Sequence, residues 1–139
     1  MVQRDVAARK IANAAARLDA VGRILSRPRE TFLAQPEARD LAAFYLLLAI
    51  QECIDLAAHW IADEGWLAPD DAASTFDVLS DHGVIDRSLA SGMRAAVGLR
   101  HRIAHGYTTL DHGRMYDESD EGVATVRAFL AAAAEAVGL

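Results

Sequence analysis

Residues 37–64 read EARDLAAFYLLLAIQECIDLAAHWIADE, and they say more about the architecture than any other part of the 139-residue chain. On a helical projection the large apolar residues of this stretch fall on nearly all sides, and acidic residues occupy the first turn. A helix that is apolar all round is usually enclosed by its neighbours. We therefore expect a central helix, the second in the chain, from near Glu37 to about Glu64.

Helical patterns also precede and follow this central helix. A first helix carries apolar residues at alternating steps of four and three: Ala7, Ile11, Ala14, Leu18, Val21 and Leu25. Pro28 and Pro36 bracket a turn region, and later breaks fall at Gly65, Gly83 and Gly113. The sequence predicts an all-α protein, a single-domain up-and-down bundle of about five helices spanning residues 1–139.

Composition and cysteine usage favour a soluble cytoplasmic protein. The chain is 53% hydrophobic, is rich in alanine and leucine, and contains only three prolines. Its longest apolar run, residues 41–50, is shorter than the roughly 18 residues that indicate a membrane span, and no secretory signal is expected. Cys53 is the one cysteine and lies in an apolar stretch, which predicts a buried thiol in a reducing compartment.

The charge balance excludes one class of function. The net charge is −6, from 14 basic and 20 acidic side chains, whereas proteins that coat nucleic acid nonspecifically are basic. The charge is uneven, because residues 1–39 hold eight basic against four acidic residues and residues 40–139 hold six against sixteen. Any contact with RNA must therefore be local.

The chemistry is concentrated in residues 100–107, which read RHRIAHGY. Eight residues carry two guanidiniums, two imidazoles and a phenol. Arginine offers a permanent cation whose forked donors match phosphate oxygens, and histidine can take or give a proton near neutral pH. This combination indicates phosphodiester chemistry.

Arg100 occupies an unusual place on its helix. It falls in register with the apolar positions that set the buried stripe of the fourth helix: Leu89, Met93, Ala96 and Val97. Because burying an unpaired guanidinium is costly, Arg100 must face a carboxylate, a cleft or a subunit interface. An internal salt bridge to Asp55 is the structural alternative, and for an isolated core arginine it is the commoner outcome.

The spacing Arg-x4-His-x-Tyr, from Arg100 through His105 to Tyr107, resembles the motif of the HepT-like toxins, a branch of the all-helical HEPN ribonucleases. The resemblance is clearest over residues 42–116, and it includes residues 97–99, 105–107 and 49–59. It implies an HEPN-like fold, a homodimer and a metal-independent endoribonuclease that cleaves tRNA or mRNA without a cofactor. It also implies a toxin-antitoxin system, in which an MNT-type nucleotidyltransferase antitoxin adds AMP to Tyr107.

Under this resemblance the motif residues take distinct roles. His105 transfers a proton as the ribose 2′-hydroxyl attacks phosphorus, and Arg100 stabilises charge on the phosphoryl oxygens. Tyr107 holds phosphate or orients His105. Five residues on an unbroken helix separate Arg100 from His105 by about 140°, so they would not converge. Either Gly106 releases His105 from the last turn, or a two-fold dimer joins the Arg of one subunit to the His of the other.

Residues around the motif have supporting interpretations. His101 stands where the family usually has asparagine, which changes substrate positioning. Arg94 and Arg102 form a solvated basic face or contact RNA phosphates. Three polar residues at i, i+4 steps line the central helix and belong either to the cleft or to the core and dimer seam: Gln51, Asp55 and His59.

Two alternatives remain open from sequence. His101 and His105 have the i, i+4 spacing of a metal-binding pair, although the glutamate of a His-Glu-x-x-His motif is missing, so we expect no metal. The chain could also be a catalytically silent helical subunit that binds and regulates a nucleotidyltransferase. In that case Arg100 serves only the structure.

Overall fold

Six α-helices form the bundle in the computed structural model, which describes residues 2–139 and has no β-strand within them. The helices are α1 (Arg4–Leu25), α2 (Arg29–Leu33), α3 (Pro36–Glu64), α4 (Ala72–Asp81), α5 (Arg87–His105) and α6 (His112–Ala136). A short 3-10 turn, Tyr107–Thr109, lies between α5 and α6. The all-α prediction is confirmed.

The central position predicted for residues 37–64 is also confirmed, because α3 packs against each of the other five helices. Pro36 opens α3, and Gly65 ends it in the left-handed conformation with φ 72°. Among the described helices α3 alone has the length and hydropathy to cross a membrane, and half of its most apolar window is buried in the bundle. Cys53 is fully buried, and this burial raises the pKa of its thiol.

The structure has one helix more than the sequence predicts. Residues 29–33 were expected to form a turn between two prolines but instead form α2, a helix of five residues. Pro28 suits the start of a helix, and the fully buried Phe32 packs its ring 5.3 Å from that of Tyr116 on α6. A helix of little more than one turn is too short to show a periodic pattern. The expected second and fourth helices are therefore α3 and α5.

Aspartate caps begin both α5, which carries Arg100 and His105, and the next helix, α6. The Asp86 carboxylate accepts a hydrogen bond of 2.7 Å from the Leu89 amide at the start of α5. Asp111 accepts one of 3.0 Å from the Arg114 amide at the start of α6. Together with the 3-10 turn, these caps bring the end of α5 and the beginning of α6 alongside the first turns of α3.

Candidate active site

Arg100 lies half-buried on α5, as its register predicts, but its expected partner is wrong. The Asp55 carboxylate accepts a hydrogen bond of 2.9 Å from Gln51, one turn earlier on α3. No ion pair within residues 2–139 includes Arg100, and its buried Nε has no hydrogen-bond partner among those residues. The i, i+4 neighbours on α3 satisfy each other, so Arg100 retains a cation for another ligand.

His105 is exposed at the last turn of α5. The expectation that Gly106 releases it from the helix is wrong, because α5 continues through His105 and Gly106 adopts φ −127° and ψ 31°. At about 100° per residue, the side chains of Arg100 and His105 leave the helix axis roughly 140° apart. On one protomer the two side chains therefore leave α5 in different directions.

His101 lies beside His105. Their ring centroids are 4.5 Å apart with an interplanar angle of 45°, and both residues are exposed. No cluster of three or more candidate metal ligands occurs in the part of the chain that the structure describes. The His101 ring thus occupies exposed space next to the His105 ring.

Tyr107 contacts Asp40, a residue that no motif in the sequence marks. Its hydroxyl donates a hydrogen bond to the carboxylate of Asp40, 67 positions earlier on α3. The expectation that Tyr107 orients His105 is not met in this protomer, because the 3-10 turn carries the phenol back towards α3. The hydrogen bond to Asp40, partial burial and the Asp40 charge raise the pKa of Tyr107, with Arg39 acting in the opposite direction. The phenol is neutral near pH 7.

Arg39 and His112 lie beside Tyr107 and Asp40. We call these four residues the tyrosine cluster: Arg39, Asp40, Tyr107 and His112. The His112 ring meets the Tyr107 ring edge-on, with 6.0 Å between centroids and an interplanar angle of 82°. Burial, followed by the Arg39 charge, lowers the pKa of His112. Arg39 Nε and His112 Nε2 are both buried, without hydrogen-bond partners within residues 2–139. The cluster thus combines a carboxylate, a phenol, a neutral imidazole and a cation.

The two arginines expected to flank the site lie in different surroundings. Arg94 is exposed, and its guanidinium pairs with Asp77 of α4 at 2.5 Å, which offsets the charge proposed for RNA contacts. Arg102 lies two residues after Arg100, on the roughly opposite side of α5. There it lines a cavity of about 420 Å³ between α5 and α6, together with Arg114. The structure does not bring Arg94 or Arg102 to the tyrosine cluster.

The predicted polar line of α3 continues an exposed apolar patch. Leu41 is 44% exposed and Phe44 is 53% exposed. At steps of three and four, the same side of α3 carries Leu48, Gln51, Asp55 and His59, none of them fully buried. We call this surface the open face of α3: Leu41, Phe44, Leu48, Gln51, Asp55 and His59. No other helix of the described bundle covers it completely.

Comparisons with known proteins agree with this architecture. The family model "Ribonuclease HepT-like" matches residues 11–133. A candidate RNase of Archaeoglobus fulgidus is 32% identical over 88 residues, which cover 63% of this chain and 66% of that protein, just under two thirds of its length.

Two solved structures share the fold. One is the tri-AMPylated Shewanella oneidensis HEPN toxin in complex with MNT antitoxin, with a TM-score of 0.85 and 20% identity over 92% of this chain and 96% of that one. The other is YutE of Bacillus subtilis, a cytosolic protein of unknown function, with a TM-score of 0.84 and 14% identity over 98% and 91%. At these identities the likeness concerns the fold alone. Because the family model spans most of its length, this chain belongs to the HepT-like ribonuclease family.

Proposed function

We propose that this chain is the toxin of a HepT/MntA-like toxin-antitoxin system, a metal-independent endoribonuclease that cleaves tRNA or mRNA and requires no cofactor. The observation that carries the proposal is the state of the motif on α5. Arg100 keeps a guanidinium without an ion-pair partner in residues 2–139, and His105 is exposed at the helix end. A cation and a proton-transfer group are the two components that RNA cleavage through the 2′-hydroxyl requires.

The proposed enzyme is a homodimer, because one protomer holds an incomplete site. Two-fold symmetry pairs identical surfaces, so a surface that is apolar and open on one subunit can be covered by its own copy. The open face of α3 has this character, with Leu41 and Phe44 followed by Gln51 and Asp55. In this arrangement Arg100 of one subunit approaches His105 of the other.

The proposed mechanism uses only side chains of the motif. His105 accepts the proton of the 2′-hydroxyl or donates one to the departing oxygen, a contribution typically of about 10²–10⁴-fold. Arg100 binds the phosphoryl oxygens, and its planar fork matches two of them at once. His101, whose ring contacts that of His105, positions the imidazole or the RNA.

We propose that the antitoxin controls RNA cleavage by modifying Tyr107. An MNT-type nucleotidyltransferase, the kind of partner present in the Shewanella oneidensis complex, would add AMP to its hydroxyl. Tyr107 is 39% exposed and lies two residues after His105, so a bulky anionic adduct there would obstruct RNA at the end of α5. We place the toxin and its antitoxin in the cytoplasm, with α3 packed against the other five helices of a soluble bundle.

One observation favours a second function. Because Arg100 and His105 diverge on an unbroken helix, a chain that does not dimerise would carry the motif without an assembled site. It would then be a catalytically silent subunit that binds and regulates the nucleotidyltransferase.

Incubation of purified protein with total tRNA and mRNA separates these functions. We expect the wild type to cleave RNA with and without a metal chelator, and both Arg100→Ala and His105→Ala to be inactive. Arg87→Ala, at the exposed start of α5, is the matched control and should cleave normally. If the wild type cleaves no RNA but forms a stable complex with the nucleotidyltransferase, the silent-subunit function is correct.

A further inference from the structure

The Tyr107 hydroxyl is held by one carboxylate in a position that an incoming molecule can reach. Its O–H donates a hydrogen bond to Asp40 Oδ1, and both residues are exposed. Asp40 forms no ion pair within residues 2–139, so Tyr107 is its hydrogen-bonding partner there. The hydroxyl proton therefore already points at a group that can accept it.

The hydrogen bond to Asp40, burial and the Asp40 charge oppose ionisation of the hydroxyl, and the Arg39 charge offsets part of their effect. Arg39 and Asp40 face it from α3, and Asp111 and His112 lie at the start of α6. Asp40 raises the pKa of the phenol, and burial lowers that of His112, which is therefore neutral near pH 7. A route through a preformed phenolate is unfavourable, so the proton must leave while the new bond forms.

We propose that Asp40 is the general base for nucleotidyl transfer to Tyr107, an inference that rests on the modification proposed above. The Tyr107 oxygen attacks the α-phosphorus of a nucleoside triphosphate that the nucleotidyltransferase presents. The new O–P bond forms while the bond from phosphorus to pyrophosphate breaks, and the electron pair leaves with pyrophosphate. The hydroxyl proton passes to Asp40 Oδ1 and then to water. The toxin thus supplies the base for the reaction that inactivates it.

A carboxylate suits this step in spite of its low basicity. As the oxygen bonds to phosphorus, the hydroxyl becomes acidic enough for a carboxylate to take the proton, and an aspartate plays this part toward the substrate hydroxyl in protein kinases. The adjacent Arg39 guanidinium, whose Nε is buried and unpaired within residues 2–139, is a permanent cation beside the phosphoryl group that arrives.

The test follows AMP addition by intact-mass spectrometry in mixtures of the chain, a purified MNT-type nucleotidyltransferase that binds it, and magnesium ATP. Asp40→Asn keeps an oxygen that can accept the hydrogen bond but cannot take the proton. At pH 7 we expect it to be modified about 10²-fold more slowly than the wild type. Asp19→Asn, which removes an exposed carboxylate paired with Arg127, is the matched control and should be modified at the wild-type rate.

The pH dependence separates a general base from a structural role. The Asp40→Asn deficit should narrow as the pH approaches about 10, where a tyrosine ionises unaided, and Asp40→Glu should recover much of the rate. The wild-type rate should stay level between about pH 6 and 8, since the hydroxyl attacks without first ionising to phenolate. Because Asp40→Glu keeps a carboxylate, its rate tests the role of Asp40 even if the asparagine variant does not fold.

Three results would overturn the inference. Equal rates for Asp40→Asn and wild type at pH 7 would exclude Asp40 as the general base. They would not exclude the modification of Tyr107. A wild-type rate that rises about tenfold per pH unit indicates attack by phenolate, with the same consequence. If the wild-type chain gains no AMP, both the proposed modification of Tyr107 and the role of Asp40 in it are wrong.

Discussion

Arg100 and His105 lie five residues apart on one unbroken helix, and their side chains leave its axis in directions roughly 140° apart. Arg100 is half-buried, with an unpaired Nε within residues 2–139, whereas His105 is exposed at the helix end. Because of these directions we propose that a second copy of the chain contributes one of the two groups that act on the phosphate. The proposed activity therefore depends on the dimer, and the dimer can be tested directly.

Replacing Phe44 by aspartate should abolish dimerisation. The side chain is 53% exposed on the open face of α3, and a charge there would be buried without a partner in a two-fold interface. Light scattering after gel filtration should give the mass of a monomer, and RNA cleavage should be lost. Leu67→Asp, at a residue that is 90% exposed beyond the end of α3, should remain dimeric and active. A dimeric Phe44→Asp protein, or a monomeric one that cuts RNA at the wild-type rate, contradicts the proposed interface.

Gly92→Ala should destabilise the contact of α5 with α6. A Cβ at Gly92 would lie 2.7 Å from Thr125 Cγ2, so either the Thr125 side chain must rotate or one helix must shift. We expect a loss of about 1–2 kcal/mol in the free energy of unfolding, after the gain of up to about 1 kcal/mol from replacing a helical glycine. In a Thr125→Ser background, which lacks that methyl group, the same substitution should become neutral or stabilising. Urea unfolding measures the free energy of unfolding in the wild-type and Thr125→Ser backgrounds. If Gly92→Ala lowers it equally in both, the clash with the Thr125 methyl group is not the cause.

His112 should make the fold sensitive to mild acid. Burial, and after it the Arg39 charge, lowers the pKa of His112 in the folded chain. The unfolded chain therefore binds more protons as the pH falls below about 6.5, so stability decreases between about pH 7 and pH 5. His112→Gln removes this titration, and its unfolding free energy should change less across that window. The same slope in both proteins would show that the pKa of His112 does not differ between the folded and unfolded chains.

Much of the fold was predictable because its signals are local. Residues 37–64 are apolar on nearly every side, which predicted the central helix, and the structure bounds that helix as Pro36–Glu64. Apolar spacing located α1 and α5 in the same way. Residues 29–33 were missed because a five-residue helix has no period to detect, and what fixes it is the contact of Phe32 with Tyr116, which is distant in sequence.

Only part of the candidate site could be predicted from the sequence, because sequence patterns show only those residues that lie close together in the chain. Arg100, His105 and Tyr107 share one short segment, whereas Asp40 precedes Tyr107 by 67 positions and no spacing rule links them. His112 belongs to an Asp-His-Gly segment that is typical of a turn, although it is the first residue of α6 and packs on Tyr107. The partner expected for Arg100 was wrong because Gln51 on the same helix reaches Asp55 first.

Mixing two inactive variants tests the shared site most directly. Arg100→Ala and His105→Ala proteins are purified separately, exchanged into mixed dimers and incubated with RNA. If each site takes its arginine from one subunit and its histidine from the other, each mixed dimer holds one intact site. The mixture should then recover about a quarter of the wild-type cleavage. A mixture that stays as inactive as its components, while the wild type cleaves the same RNA, would contradict a site built from two subunits.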